Sequence, residues 1–313
     1  MKTKILSIGG ALPQKTLTNN DFIKLGLETS DEWITTRTGI KKRHICSNSN
    51  EIIQISTKAC EQAIKNSPLT NKDIDLMIVA TSTAPYSGFP SLACHLQNNL
   101  QLNPIPAFDI SAACTGFNYA LTIGQQFIEN NTAKNVLIVA ADALSSLVDW
   151  KDRSTCILFG DAAAAVILSQ SKEQKILYSK LFSNGSDTGI LTGDKENKIK
   201  MKGKQVFKNA VQYCISTIEE CLEKTKLTIE SFTHIIPHQA NQRILDQLKL
   251  KLSIHDDQLI STVANYGNTS AASIPYALYE LHKKNNLKKG DKIMMIGFGA
   301  GFTWGINLVE WSQ

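Results

Sequence analysis

Seven strand-like runs punctuate this chain: Ile5–Ile8, Leu76–Ala80, Val136–Ala140, Ala163–Leu168, Thr233–Ile236, Gln258–Thr262 and Lys292–Ile296. Several are continuously apolar rather than alternating. A strand with water on one face alternates, so a continuous run marks a strand buried on both faces, and such strands belong to largely parallel sheets covered by helices. Helical patterns fall between the runs. Glu51–Lys65 places Ile52, Ile55, Ala59 and Ala63 at helical spacing behind the polar, cap-forming Asn48-Ser49-Asn50, and Val206–Lys224 is a second amphipathic stretch.

The two halves of the chain echo one another. In the first, a strand (75–81), a helix (91–100), a strand ending at a small-residue turn around Cys114, a helix, and a closing strand (135–141) follow in order. In the second, the same series runs through 233–237, 242–252, a turn around Asn268, a helix, and 291–297. A repeat at this scale predicts an α/β fold of two similar halves, 1–170 and 171–313, with Cys114 and Asn268 at equivalent helix N-termini facing one cleft. Ser169–Lys175 is the expected joint, and Thr192–Lys204 reads as an exposed Lys- and Gly-rich loop.

The chemistry-bearing residues lie at those turns. Asp109-Ile-Ser-Ala-Ala-Cys114-Thr-Gly-Phe sets a thiol where backbone N–H groups and the helix dipole favour a thiolate, the form that attacks carbonyl carbon. His238 follows an apolar strand in Ile-Ile-Pro-His238-Gln-Ala-Asn241, at the strand end where α/β folds gather ligands. Asn268 lies in Asn-Tyr-Gly-Asn268-Thr-Ser-Ala-Ala-Ser273. Taken singly, Cys114 reads equally as a small buried hydrophobe, His238 as a structural histidine and Asn268 as a helix cap. Taken together they point to acyl transfer. The glycine-dense Gly297-Phe-Gly-Ala-Gly-Phe-Thr-Trp-Gly305 lets backbone N–H groups approach a ligand, as an oxyanion hole requires, or else forms a tight turn; it lacks the spacing of a dinucleotide fingerprint.

Composition removes other classes. The chain has no apolar run of membrane-spanning length and no secretory leader pattern. Its seven cysteines, at 46, 60, 94, 114, 156, 214 and 221, form no CxxC pair, which fits a reducing cytoplasm and no metal site. A net charge of +5 does not call for nucleic acid and suits anionic small molecules or an acidic protein partner.

The segments around Cys114, His238 and Asn268 and the ending Gly-Phe-Thr-Trp-Gly resemble the β-ketoacyl-acyl carrier protein synthase III family of condensing enzymes. The resemblance extends to Ser30-Asp-Glu-Trp33-Ile-Thr-Thr-Arg37-Thr-Gly-Ile40, to Asp152-Arg153 and to Phe159-Gly-Asp161. It implies a thiolase-like fold, a homodimer and no cofactor, CoA thioesters being substrates. It also implies a reaction that starts type II fatty acid synthesis: Cys114 takes an acyl group from acyl-CoA, and malonyl-acyl carrier protein then loses CO₂ and attacks the acyl-enzyme. Residue by residue, His238 and Asn268 would bind the malonyl thioester oxygen, and the backbone N–H groups of Cys114 and Ala300 would form the oxyanion hole. Trp33, Arg37, Arg153 and Asn241 would bind CoA, with adenine held between Trp33 and Arg153. Lys208, Arg243 and Lys251 would receive the acidic carrier protein. Phe89, reaching across the dimer, and Phe159 would narrow the acyl pocket and favour a short primer such as acetyl-CoA. The family usually has three consecutive glycines where this chain has Gly299-Ala300-Gly301, and a methyl group disfavours positive φ. Competing readings are a condensing relative of secondary metabolism with another acceptor, a cysteine hydrolase using Cys, His and Asn, and a non-catalytic acyl-binding protein.

Overall fold

The structure is a computed structural model that describes every residue except Ser49, Ser87 and Gln313, so Ser49 of the expected capping stretch lies outside the described residues. In chain order the first half contains β1 (Lys2–Ala11), β2 (Thr16–Thr18), α1 (Asn19–Lys24), α2 (Asp31–Thr38), β3 (Lys42–His44), α3 (Glu51–Lys65), β4 (Leu76–Ala80), α4 (Leu92–Asn99), β5 (Ala107–Ile110), α5 (Gly116–Glu129), β6 (Asn135–Ala143) and β7 (Asp161–Ser171). The second contains β8 (Ile176–Ser183), β9 (Leu191–Thr192), β10 (Lys200–Met201), α6 (Gly203–Thr225), β11 (His234–Pro237), α7 (Gln242–Leu252), α8 (Val263–Tyr266), α9 (Ser273–Lys283), β12 (Lys292–Gly299) and β13 (Thr303–Glu310). We propose 1–170 and 171–313 as the two halves, a division that falls at the end of β7.

The sheets explain why the strands read as continuously apolar. One has the order β1-β7-β6-β4-β5, the other β8-β13-β12-β11. In β4, Leu76, Ile78 and Ala80 face a core shared with α5 and α9, while Met77 and Val79 face α3 and α4. In β12, Ile293 and Met295 turn to the shared core, and Met294 and Ile296 to a core containing α6 and α7 residues. The result is five layers, with α5 and α9 between the two sheets and a helix pair outside each.

Pairing is mixed, and antiparallel ladders take a larger share than the apolar runs alone imply. The ladders β4·β5, β4·β6 and β11·β12 are parallel. The ladders β1·β7, β6·β7, β12·β13 and β8·β13 are antiparallel. The expected strand at Gln258–Thr262 is a correction. It contributes only one parallel bridge, Leu259 to Ile235, at the place where β5 pairs with β4 in the other half. Gln258 turns inward instead, its amide donating to the carbonyls of Ile229 and Phe232, so the segment satisfies its neighbours' backbone through a side chain. The glycine-dense C-terminal stretch is also more ordered than a loop: β12 and β13 form a hairpin turning at 300–302. Thr192–Lys204 holds the β9–β10 ribbon and buries Ile199.

Close packing of α3 on β1 needs a glycine at position 9, where an added Cβ would stand 2.2 Å from the Ala59 carbonyl oxygen and 2.5 Å from the Ala63 nitrogen. Backbone atoms cannot turn aside as a side chain can. Gly9→Ala should cost roughly 1–3 kcal/mol of stability and lower Tm by several degrees. Gly185→Ala, whose added methyl meets nothing within 4 Å, should leave thermal unfolding unchanged. Equal transitions for both variants would show that the β1–α3 contact is looser than described.

Candidate active site

Two short 3-10 turns meet where the sheets face each other. Ala113–Thr115 carries the chain from β5 into α5, and Ser270–Ala272 leads into α9. Each contains one non-glycine residue in the left-handed region, Ala113 (φ 46°) and Ser270 (φ 53°). The two turns correspond with Ala113 at the place of Ser270, so Cys114 matches Ala271 and not Asn268 as the repeat suggested; Asn268 lies three residues earlier, just before its turn. The Ser270 hydroxyl donates to the Cys114 sulfur at 3.4 Å. The Asn268 N–H donates to the Leu158 carbonyl, and the Gly160 N–H to the Asn268 carbonyl, so Phe159 is stitched alongside.

Asn268 combines the cap-like and the functional reading. Its side-chain oxygen accepts from the Ser270 N–H at 2.9 Å. Among the described residues its Nδ2 makes no hydrogen bond, which leaves the amide donor free for a ligand. His238, at the end of β11, is 1% exposed. Its Nδ1 lies 2.6 Å from the Ser273 hydroxyl, and its ring meets Phe298 edge-on at 4.9 Å.

The β12–β13 turn lies against Cys114. A Cβ on Gly299 would stand 2.6 Å from the Cys114 nitrogen, so only glycine permits this approach. The left-handed φ of the turn belongs to Gly301 (φ 132°), and Ala300 is not among the positive-φ residues. The methyl group of Ala300 therefore imposes no backbone strain. Thr303 Oγ1 lies within hydrogen-bond distance of the carbonyl oxygens of both Ala112 and Ala300, tying the two loops together.

Burial opposes the thiolate that the helix end favours. Desolvation pushes the Cys114 thiol up to about 12; the Ser270 hydrogen bond opposes this and the Asp142 carboxylate adds to it. The helix end supplies only a fraction of a charge, too little to offset removal from water. Burial also depresses His238 to about 3. Burial thus favours a neutral thiol and a neutral imidazole.

Cys114 separates two cavities. One, of about 570 Å³, is lined by Trp33, Arg37, Arg153, Asn241, His238 and Asn268, among others. The other, of about 510 Å³, is uncharged, with Leu144, Leu147, Phe159, Leu191, Ile199 and Ala300 in its wall beside serine and threonine hydroxyls such as Ser111 and Thr188. Trp33 has the guanidinium groups of Arg37 and Arg153 each 4.8 Å from its ring centroid. A base sandwiched between Trp33 and Arg153 needs roughly 7 Å, two van der Waals contacts, so Arg153 must swing aside to admit one. Asn241 caps α7 by accepting from the Arg243 N–H, and it donates to the Arg37 carbonyl.

Three expected residues lie elsewhere. Phe89 is 91% exposed and lines neither cavity of its own chain. Lys208 is exposed on α6 and lines neither cavity, although the adjacent Phe207 is in the cavity wall with the Arg243 guanidinium 5.7 Å from its ring. Lys251 is about 12 Å further along α7, well away from the mouth. Sequence reasoning did not single out Ser270, Ser273, Phe298 or Asp142. The serines were within the quoted Asn268 motif, and Phe298 within the glycine stretch. Asp142 had a readable signal, an acid closing an apolar strand: it is fully buried and accepts from the Ser82 N–H at 2.7 Å and the Thr83 hydroxyl at 3.0 Å.

Comparison with known proteins gives a consistent result. Family models for 3-oxoacyl-[acyl-carrier-protein] synthase III and for its C-terminal region match residues 108–185 and 222–311. The chain is 46% identical to β-ketoacyl-[acyl-carrier-protein] synthase III of Aquifex aeolicus, over 99% of this chain and 100% of that one. It is 40% identical to the protein of the same name from Rickettsia bellii, again over 99% and 100%. The crystal structure of the Aquifex aeolicus synthase superposes with a TM-score of 0.95 at 45% identity, covering 99% of this chain and 100% of that one. The priming β-ketosynthase of the R1128 polyketide pathway has a TM-score of 0.94 at 29% identity, covering 100% and 97%.

A thiol held near 12 reacts through a small thiolate fraction. Alkylation of Cys114 by iodoacetamide should therefore accelerate about tenfold per pH unit between pH 7 and 9 without levelling off. Peptide mass mapping over time measures it. A plateau near pH 7 would mean that the helix end outweighs burial after all.

Proposed function

Because this chain belongs to the 3-oxoacyl-[acyl-carrier-protein] synthase III family, we propose that its buried thiol carries the acyl group between two substrates. The enzyme condenses an acyl-CoA with malonyl-acyl carrier protein in fatty acid synthesis. The observation that carries the residue assignment is the position of Cys114 at the junction of a cavity lined in part by the guanidinium groups of Arg37, Arg153 and Arg243 and a second whose described lining residues are all uncharged. The first suits a phosphorylated CoA arm and the second an acyl chain.

In the first half-reaction the Cys114 sulfur attacks the acyl-CoA carbonyl. Backbone N–H groups of Cys114 and Ala300 hold the tetrahedral oxygen, the C–S bond to CoA breaks, and the thiol proton leaves on the CoA sulfur. Trp33, Arg37, Arg153 and Asn241 bind CoA. In the second half-reaction the malonyl C–C bond breaks and CO₂ departs. Its electron pair passes onto the thioester as an enolate, stabilised by donors from His238 and Asn268. The carbanion attacks the acyl-enzyme, and the released Cys114 thiolate regains a proton from water. A neutral imidazole and a neutral amide suit this step, since both donate without repelling or neutralising the substrate carboxylate before it is lost. The thioester carbonyl is its own electron sink, so no cofactor is required.

The hydrolase reading is disfavoured because it needs a thiolate paired with its histidine, whereas the Cys114 sulfur is hydrogen-bonded to Ser270 and Nδ1 of His238 lies against Ser273. The secondary-metabolism reading is disfavoured by the lower identity to the polyketide enzyme. Acetyl-CoA is the proposed primer, with Phe159 beside Cys114 limiting longer chains. The exposed Phe89, with half-exposed Tyr86 on the same loop, supports a homodimer in which Phe89 closes the partner's acyl cavity. Arg243 in the cavity wall, with the exposed Lys208 on α6 and Lys251 further along α7, would attract an acidic carrier protein. Free cysteines support a cytoplasmic location. Among the described residues, no helix is long and apolar enough to cross a membrane.

Incubation with acetyl-CoA should place a single acetyl group on Cys114. His238→Ala and Asn268→Ala should each slow malonyl decarboxylation by roughly 10²–10³ while changing Cys114 acetylation only a few-fold. Intact-mass and peptide-mapping time courses, with CO₂ release measured in parallel, check both statements. An equal loss of the two half-reactions would contradict the assigned roles.

A further inference from the structure

We propose that Ser273 is a positioning residue that fixes the tautomer of His238, keeping the ring proton on Nε2 and Nδ1 bare. The inference deepens the reading of His238 as a hydrogen-bond donor and rests on it for its meaning, though not for its test.

The argument is an inventory of hydrogens. Ser273 is the first residue of α9 and is 2% exposed. Its Oγ has one hydrogen and two lone pairs. The Gln239 N–H donates to that oxygen at 3.3 Å, and His238 Nδ1 lies 2.6 Å from it. Among the described residues the oxygen has no other hydrogen-bond partner. If Nδ1 carried a proton, the oxygen would receive two donors, and the hydroxyl hydrogen would be buried with no acceptor, which costs more than a weak bond returns. With Nδ1 bare, every hydrogen is used: Gln239 N–H to Oγ, and Oγ–H to Nδ1. A neutral ring must then carry its proton on Nε2, where it can only donate.

The surrounding contacts hold this arrangement still. The His238 N–H donates to the Ile296 carbonyl at 2.8 Å, fixing the backbone at the end of β11. Gln239 is held through its side chain, donating to the Pro237 carbonyl at 2.7 Å and accepting from the Thr262 N–H at 2.7 Å. Phe298 meets the imidazole edge-on with its ring plane at 70°. A ring fixed in position and tautomer presents its donor without reorganisation when charge develops on a thioester oxygen. The same tautomer has no lone pair on Nε2 with which to deprotonate Cys114. Acylation and decarboxylation therefore depend on Ser273 to different degrees.

The test uses the whole protein labelled with ¹⁵N-histidine and long-range ¹H–¹⁵N spectra, with the His238 signals assigned by their loss in His238→Ala. The wild-type protein without substrate should show a protonated Nε2 and a bare, hydrogen-bonded Nδ1. Ser273→Ala should populate both tautomers and slow malonyl-acyl carrier protein decarboxylation about ten- to a hundredfold, less than deleting the donor itself. Its Cys114 acetylation should stay within about twofold. Ser273→Thr, which keeps the hydroxyl, should restore the tautomer and most of the rate. A wild-type proton on Nδ1, or an unchanged Nε2–H tautomer in Ser273→Ala, overturns the proposal. If the alanine variant does not fold, the wild-type spectrum decides alone. Because the spectrum is read without malonyl substrate, failure of the donor role in His238→Ala kinetics would leave the tautomer assignment standing, and the two can be told apart.

Discussion

The contact between the turns at Ala113–Thr115 and Ser270–Ala272 is the constraint on which the site depends. Each turn belongs to a different half of the chain, and each begins a helix of the layer buried between the two sheets. Bringing them together encloses Cys114, His238 and Asn268. It also requires small residues on every approaching segment. Gly116 packs on Ala80 and Ala271, and Gly299 on the Cys114 backbone. The carboxylate of Asp142 anchors the junction from beneath, accepting from the loop after β4 on one side and facing the Ala271 N–H at 3.4 Å on the other.

That enclosure sets the protonation states. Removing a thiol and an imidazole from water favours the neutral form of each, and no opposite charge is placed to reverse it. A site that activated its cysteine through an adjacent imidazolium would also place a positive charge in the cleft. Here the two groups have separate partners: the Cys114 sulfur accepts from the Ser270 hydroxyl, and His238 Nδ1 lies against the Ser273 hydroxyl. The adjoining cavities follow the same division, guanidinium groups and Trp33 on one side of the sulfur and aliphatic side chains on the other.

Much of the architecture was legible in the sequence because local pattern and burial agree. Glu51–Lys65 and Gln242–Leu252 fold as helices at the expected boundaries, and Leu76–Ala80 as a strand, since each alternates between two apolar environments or presents one apolar face. Gln258–Thr262 was misread because its apolar Leu259-Ile260 pair is common to strands and to buried irregular backbone, and only the tertiary contacts of Gln258 distinguish them. The candidate site residues were visible as motifs, and the structure gathers Cys114, His238 and Asn268. Their protonation was not visible, because a helix N-terminus can be read from local sequence and desolvation cannot. Ser273 illustrates the same limit: it sits 35 residues from His238, and among the described residues the His238 ring nitrogen is the one acceptor within reach of its hydroxyl. The gap between Trp33 and Arg153 was likewise beyond sequence, since it depends on where two long side chains come to rest.

The central claim is that one carbon–carbon bond forms between an acyl group carried by Cys114 and a malonyl unit on carrier protein. Incubating the enzyme with [1-¹³C]acetyl-CoA and malonyl-acyl carrier protein, and then measuring the mass and carbon spectrum of the carrier-protein product, tests it directly. The account predicts a 3-ketoacyl thioester with the label at its keto carbon, lost when Cys114 is replaced by Ser. Label recovered only as free acetate, or a 3-ketoacyl product still formed by the serine variant at the original rate, would contradict it.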